Sequence, residues 1–298
     1  MLTRRHLFTG SAALASLAAL PALAQDKLKV LATFSILADF VRNVGGDRVD
    51  LATLVGVNSD AHVYAPSPAD AKKVADAKVV FVNGLGFEGW MNRLVHASGS
   101  RAPIVVATKG ITVRRAASGH DHGDADPHAW QSATNAKIYV INIRDSLIAA
   151  DPAGAGAYRA NAATYVARLD ALDAEVKQAV AAIPADRRRV ISTHDAFGYF
   201  QQAYGIEFIA LQGVSTEAEP SARDIARTIT QIKHQRIPAV FLENITDPRL
   251  MQQIAQETGA HIGAKLYSDA LTDDGGDAPT YVAMMRHNIR QISLALMS

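Results

Sequence analysis

The longest uninterrupted helical pattern of the sequence lies at its centre, in residues 152–184. Apolar residues recur there at steps of three and four, with charged residues between them: Tyr158, Ala162, Tyr165, Leu169, Leu172, Val176, Val180 and Ile183. This spacing predicts one amphipathic helix of about 45 Å, which Pro184 would end. Because such a helix is longer than most helices of a compact domain, it indicates a connection between two lobes.

Strand-like and helical segments alternate on both sides of this helix. Before it, strands are predicted at 28–33, 49–55, 79–82 and 104–107, with a helix at 36–44. After it, strands at 189–192, 207–212, 239–242 and 264–266 alternate with helices at 194–204, 221–235, 247–258 and 279–297. This order predicts an α/β fold with mostly parallel sheets flanked by helices. We expect an N-terminal lobe at 25–151, a connecting helix at 152–184, a C-terminal lobe at 185–298 and a cleft between the lobes.

Residues 1–24 have the features of an export signal. Arg4 and Arg5 give a charged start, residues 11–20 are apolar but too short to span a bilayer, and Ala22-Leu23-Ala24 predicts cleavage before Gln25. Residues 3–8 fit a twin-arginine signal as well as an ordinary secretory signal, so both export routes stay open. We expect the mature protein in the periplasm.

Composition narrows the function further. There is no cysteine, so a lipid-attachment cysteine and disulfides are absent and stability must come from a buried core. Two of the 30 Lys and Arg residues lie in 1–24, so 28 remain against 29 Asp and Glu. This near-neutral balance argues against nucleic acid or an anionic membrane surface as a partner. The lack of thiolates disfavours copper(I) and iron–sulfur sites.

Three histidines lie in three loops rich in turn-forming residues and far apart in the chain: His62, His128 and His194. His62 and His194 each follow a predicted strand, at the sheet edge where open α/β folds bind ligands. Asp269, in Tyr-Ser-Asp-Ala-Leu, adds a carboxylate. One such histidine is more often structural, but three imidazoles and a carboxylate together form a ligand set that suits zinc.

Three acids could orient these ligands. Asp126 precedes His128 in Asp-Pro-His and could bond a ring nitrogen, although a turn-forming Asp-Pro is nearly as good an interpretation. Asp195 adjoins His194 and could do the same. Glu243 ends a predicted strand of the second lobe and could support the site or ligate directly, although a helix-capping or surface role is the simpler interpretation.

The short acidic loop at 119–126 carries His120 and His122. It is predicted to be exposed and to offer weak accessory metal contacts, with a plain solvated loop as the alternative. The remaining histidines (His96, His234, His261 and His287) are interpreted as structural.

Gly84, Gly86 and Gly89 match the dinucleotide-binding fingerprint, but the next predicted strand ends in Thr-Lys-Gly without the acid that holds a ribose. We interpret these glycines as a strand-to-helix turn. Enzymatic motifs are also lacking: there is no His-Glu-x-x-His and no Gly-x-Ser-x-Gly.

Taken in order, six segments resemble the zinc/manganese solute-binding proteins of bacterial ABC importers, over essentially all of the mature chain. They are residues 56–70, 83–90, 126–130, 194–199, 217–221 and 267–271. The resemblance implies two α/β lobes joined by a rigid helix, with the metal between them. It also implies ligands at His62, His128, His194 and Asp269.

The third ligand position distinguishes metals within this family, because manganese-preferring members tend to have a carboxylate there. His194 gives three imidazoles and one carboxylate, a set that favours zinc, whereas manganese favours more oxygen. Zinc-binding members often carry a histidine-rich loop before the second ligand, which here is reduced to His120 and His122.

The sequence therefore predicts an exported protein, not an enzyme, that binds Zn²⁺ in the cleft and delivers it to a membrane permease and its ATPase. We expect a monomer, which a metallochaperone could load. Two alternatives stay open: a manganese- or iron-binding protein of the same fold, and a zinc-dependent hydrolase with Asp269 as the base.

Overall fold

The computed structural model describes residues 26–116 and 125–297. The first half of the chain builds a sheet of four parallel strands in the order β2-β1-β3-β4. These strands are β1 (Leu28–Phe34), β2 (Val49–Val55), β3 (Val79–Val82) and β4 (Ile104–Val106). β1 and β3 are buried between helices, which explains their runs of apolar residues.

The second half repeats this topology in another parallel sheet, ordered β6-β5-β7-β8. Its strands are β5 (Arg189–Ser192), β6 (Glu207–Ala210), β7 (Ala239–Val240) and β8 (His261–Ile262). In each sheet the chain moves from its first strand to one neighbour and then crosses to the other side. Ligands of open α/β sheets bind outside the carboxyl ends of the strands at such a reversal.

Helices cover both sheets and connect them. They are α1 (Ser35–Gly45), α2 (Pro68–Asp76), α3 (Met91–Ser98), α4 (Ala133–Ala150), α5 (Ala155–Ala181), α6 (Gly198–Tyr204), α7 (Ala222–Gln235), α8 (Arg249–Thr258) and α9 (Tyr281–Met297). Among the residues described, no helix is long and apolar enough to cross a membrane. The predicted export signal at 1–24 lies outside the described residues.

The central helix α5 has 27 residues, which gives it a length of about 40 Å. A 3₁₀ turn at Pro152–Gly154 precedes it, where Asp151 accepts a hydrogen bond from the Gly154 N–H. Its buried residues are the apolar ones of the sequence pattern: Tyr158, Ala162, Tyr165, Leu169, Leu172, Val176 and Val180. The predicted long helix is thus confirmed.

The buried face of α5 packs against α1, α4 and α9, so elements from both ends of the chain share one core. The buried carboxylate of Asp39 in α1 reinforces this packing, because its Oδ2 accepts bonds from the Tyr165 hydroxyl and the Tyr281 N–H. A smaller apolar cluster lies within the second lobe. The α/β fold class is confirmed, whereas the exact lobe boundaries stay predictions.

Four details differ from the sequence-based expectation. The helix predicted at 194–204 begins only at Gly198, because the N–H groups of His194 and Asp195 bond to Glu243 and to the Gly213 carbonyl. The strand predicted at 264–266 is wrong: the strand is β8, and Leu266 forms an isolated bridge to Glu243. Helices α2 and α4 were not predicted.

We expect Leu169→Ala to destabilise the protein by about 2–5 kcal/mol, because it opens a cavity in the core that α5 forms with α1, α4 and α9. Leu294→Ala in α9 is the matched control, since Leu294 is 59% exposed and its loss costs about 0.5 kcal/mol or less. Urea unfolding of the metal-free protein measures both. Equal midpoints for the two variants would contradict the assigned role of α5.

Candidate metal centre

The four predicted ligands converge between the two lobes, and all their ligand atoms lie within 4.8 Å of one another. Nε2 of His62 lies 3.3 Å from Nε2 of His128 and 3.2 Å from Oδ2 of Asp269. Nε2 of His194 lies 3.1 Å from the same Asp269 oxygen. His128, His194 and Asp269 are fully buried, and His62 is 8% exposed.

These spacings fit one small cation. Four ligands placed tetrahedrally at zinc's bond lengths of about 2.0–2.1 Å lie about 3.3 Å apart. The second carboxylate oxygen, Oδ1 of Asp269, is buried without a hydrogen-bond partner among the described residues and lies 3.6 Å from Nε2 of His128. A buried, unpartnered carboxylate oxygen is costly unless a cation satisfies it.

Asp126 fixes the orientation of His128. Its Oδ1 accepts a hydrogen bond from the backbone N–H of His128 at 3.0 Å and lies 2.9 Å from Nδ1 of the ring, so Nε2 points to the other ligands. Oδ2 of Asp126 pairs with Nη1 of Arg114 at 2.8 Å. Gly198, at the start of α6, leaves room for this pair, because a Cβ there would overlap the Arg114 guanidinium.

Glu243 does the same for His194 from the segment that follows β7. Its Oε2 lies 2.7 Å from Nδ1 of His194, and its Oε1 accepts bonds from the N–H groups of Thr193 and His194. Glu243 is 2% exposed, so the surface or helix-capping interpretation was wrong. Asp195 is also buried, but the acid at Nδ1 of His194 is Glu243. β5 and β7 are paired, which brings the two residues together.

The segment before Asp269 is held by residues of the first lobe. The indole N–H of Trp130 and the amide of Gln131 both donate to the Ser268 carbonyl, at 2.9 and 2.8 Å. On the other side, Asn288 of α9 bonds both the N–H and the carbonyl of Tyr267. Sequence reasoning missed these supports; the aromatic residue two positions after His128 was the available signal.

His62 is held at both ends of its peptide. The carbonyl of the preceding residue, Ala61, accepts a bond from the indole N–H of Trp90. The N–H of His62 donates to Oδ1 of Asp60. The ring of Phe87 packs edge-on against the imidazole at 4.8 Å. Apolar walls of this kind exclude water and strengthen the electrostatic interactions inside the site.

The glycine-rich segment forms the predicted turn from β3 to α3. Gly84 and Gly86 have positive φ angles, and a Cβ at Gly84 would overlap the side chain of Val106. The carboxylate of Glu88 accepts the N–H groups of Asn83 and Gly84, together with the Thr33 hydroxyl. These backbone N–H groups are the donors that a nucleotide phosphate would need, and in this turn they bind the Glu88 carboxylate instead.

The remaining predicted histidines lie elsewhere. His120 and His122 fall outside the described residues, and their accessory role stays a prediction. His96, His234 and His261 are exposed. His287, in α9, bonds the Lys265 carbonyl.

Charge balance controls protonation of the metal-free site. Burial favours neutral imidazoles, but the charges of Asp269 and Asp126 outweigh it at His128 and raise its pKa to about 9. In the same way Glu243 and Asp269 outweigh burial at His194, whose pKa rises well above the usual value. Burial dominates at His62 and lowers its pKa. Although burial opposes it, the two imidazolium charges hold the pKa of Asp269 well below its usual range.

This balance matches a dication. Arg114 neutralises Asp126. The negative charges of Asp269 and Glu243 are then balanced by the positive charges of protonated His128 and His194. One divalent ion bound by neutral imidazoles leaves the buried charge unchanged, which avoids the large cost of an unpaired buried charge.

Comparisons with known proteins show that the chain resembles metal-binding proteins. Residues 30–295 match a family described as "zinc-uptake complex component A periplasmic". The chain is 33% identical over 277 residues to the manganese ABC transporter substrate-binding lipoprotein PsaA of Streptococcus anginosus, covering 91% of this chain and 90% of that protein. It is also 33% identical to the iron-binding protein YfeA of Yersinia pestis, covering 92% and 88%.

Among solved structures, the periplasmic zinc binding protein TroA from Treponema pallidum superposes with a TM-score of 0.86 at 32% identity. The match covers 91% of this chain and 99% of that one. The two-lobed architecture is thus shared along the whole of that chain.

We expect binding of one divalent ion near pH 7 to release about two protons, from His128 and His194, because metals bind neutral imidazoles. Raised pKa values mean that these protons are present at pH 7, so apparent affinity rises with pH toward 9. Titration calorimetry in buffers of different ionisation enthalpy measures the release. His234→Ala, at an exposed histidine, leaves it unchanged. Affinity that is flat above pH 7, without proton release, would contradict this charge balance.

Proposed function

Since the chain belongs to the zinc-uptake component A family, the periplasmic metal-binding components of ABC importers, we propose that it captures zinc between its lobes and delivers it to the permease. Proteins of this family are substrate-binding components of transporters and not enzymes, so the hydrolase alternative is excluded.

The observation that carries the choice of zinc is the third imidazole. His194 points Nε2 at the carboxylate of Asp269, as His62 and His128 do, so the cage offers three nitrogens and one carboxylate. Four-coordinate, imidazole-rich sites suit zinc, whereas manganese prefers six ligands with more oxygen. Enclosure of His128, His194 and Asp269 leaves little room for the water ligands that would complete six-coordination.

Each residue has a separate role in this proposal. His62, His128 and His194 bind as neutral imidazoles, and Asp269 binds as a carboxylate. Asp126 and Glu243 fix the other ring nitrogens of His128 and His194, which orients the rings and raises their basicity. Together with Asp269, Glu243 also balances the charge of the ion.

Manganese or iron binding is the second candidate, because PsaA of Streptococcus anginosus is named for manganese and YfeA of Yersinia pestis for iron. Divalent zinc binds more tightly than manganese to most nitrogen and oxygen sites. The informative quantity is therefore the ratio of the two affinities and how it responds to the third ligand.

The proposal places the protein in the periplasm, reached through the signal at 1–24 with cleavage after about Ala24. Its partners are the permease and ATPase of a metal importer. A monomeric state, loading by a metallochaperone and a capture role for His120 and His122 remain part of the proposal.

We expect zinc to displace manganese from the wild type when both compete at equal concentration. His194→Glu replaces a nitrogen with an oxygen ligand, so it should narrow the zinc-to-manganese affinity ratio by about tenfold or more. Competition with a chromophoric chelator measures both affinities, and His234→Glu is the control at an exposed histidine. Manganese outcompeting zinc, or a ratio that His194→Glu leaves unchanged, would refute zinc as the substrate.

We expect Glu243→Gln to weaken zinc binding by about 10- to 100-fold, the usual effect of losing an acid that orients a metal-bound histidine. The amide keeps the size of the side chain but removes the charge at Nδ1 of His194. Glu257→Gln, at an exposed position of α8, is the matched control. If both variants bind zinc as the wild type does, Glu243 does not support the site.

A further inference from the structure

His62 is the ligand at which the site meets solvent. His128, His194 and Asp269 are fully enclosed, whereas His62 lines a cavity of about 440 Å³. Both lobes contribute to the wall of this cavity, with Phe87 on the first lobe and Val214, Ser215 and Glu217 on the second. An ion that enters or leaves along this route meets His62 before any other ligand.

One carboxylate joins the backbone of His62 to the opposite lobe. Oδ1 of Asp60 accepts the His62 N–H at 2.8 Å, and Oδ2 accepts the hydroxyl of Thr216 at 2.6 Å. Thr216 belongs to the loop after β6, whose residues 214, 215 and 217 line the cavity. The peptide of His62 is thus tied to the wall of the second lobe through a single side chain.

This link differs from the other bonds between the lobes. The bonds of Trp130 and Gln131 to the Ser268 carbonyl are buried and hold the Asp269 segment from within. Earlier in the same loop, the N–H of Asn58 donates to the Leu271 carbonyl at 2.8 Å and its side chain accepts a bond from the Asn244 amide at 3.2 Å, so both of these bonds join neutral groups. A hydroxyl-to-carboxylate bond of 2.6 Å has the length of a strong charge-assisted bond, and its partial burial limits screening by water.

We propose that the Asp60–Thr216 hydrogen bond retains the ion by holding the His62 loop against the second lobe, and that zinc leaves when this bond breaks. The inference rests on the proposed zinc-binding function. Asp60 and Thr216 are positioning residues, because neither is a metal ligand. Trp90 keeps the Ala61 peptide attached to the first lobe, so breaking the bond separates His62 from His194 across the cleft.

The test is the rate at which zinc-loaded protein releases its ion into excess chelator, followed by stopped flow. Thr216→Val keeps the shape of the side chain and removes the hydroxyl. We expect it to accelerate release by about tenfold or more, the factor that loss of a hydrogen bond to a charged group carries. Thr246→Val is the matched control. Thr246 and Thr216 line one cavity, which is separate from the cavity at His62.

Asp60→Ala should accelerate release as well, and adding Thr216→Val to it should then change nothing further, because the bond is already lost. Binding of one zinc per chain by every variant shows that the ligands are intact. If Thr216→Val releases zinc at the wild-type rate, or if the two substitutions have additive effects, the Asp60–Thr216 bond does not retain the ion. The proposed zinc-binding function would still stand. Failure of the wild type to bind one zinc overturns both.

Discussion

The buried carboxylate of Asp269 sets the conditions that the rest of the structure meets. It has no access to solvent, and the buried charges of Asp126 and Glu243 lie one imidazole away on either side. Negative charges in such a place must be paired. Arg114 pairs with the charge of Asp126. The charges of Asp269 and Glu243 are balanced either by protons on His128 and His194 or by one dication. Exchange of protons for metal at constant charge follows directly from this arrangement.

Helix packing and buried hydrogen bonds hold the ligand residues in place. α5 shares its core with α1, α4 and α9, and Asn288 of α9 fixes the segment that carries Asp269. Trp130 and Gln131, next to His128, bind the same segment from the first lobe. The inner half of the site is therefore built from bonds that span the lobes and are closed to water. Among the four ligands His62 is the one that keeps some exposure to solvent, so the proposed release step falls on the ligand that is least enclosed.

Local patterns in the sequence predicted much of this structure. The spacing of apolar residues predicts α5 because one face of that helix is buried and the other is solvated. α4 packs on α5, α1 and the first sheet, so its apolar residues cover more than one face and the periodic signal is weak. For α2 the signal was present but overlooked: Ser67 and Asp70 form a capping box around Pro68.

The site shows the same division. Asp126 could be connected with His128 because only Pro127 lies between them, whereas Glu243 reaches His194 only because β5 and β7 are neighbours in the sheet. Asp60 and Thr216 are far apart in the chain, and nothing local links them. The four ligands themselves were predicted from their motifs, and the structure brings them to one point.

X-ray absorption at the zinc edge of the loaded protein tests the central claim most directly, because it reports the number and kind of ligands around the ion. The account predicts four nitrogen and oxygen ligands at about 2.0–2.1 Å, with the scattering of three imidazoles. A six-coordinate ion, or one bound by fewer than three imidazoles, would contradict it.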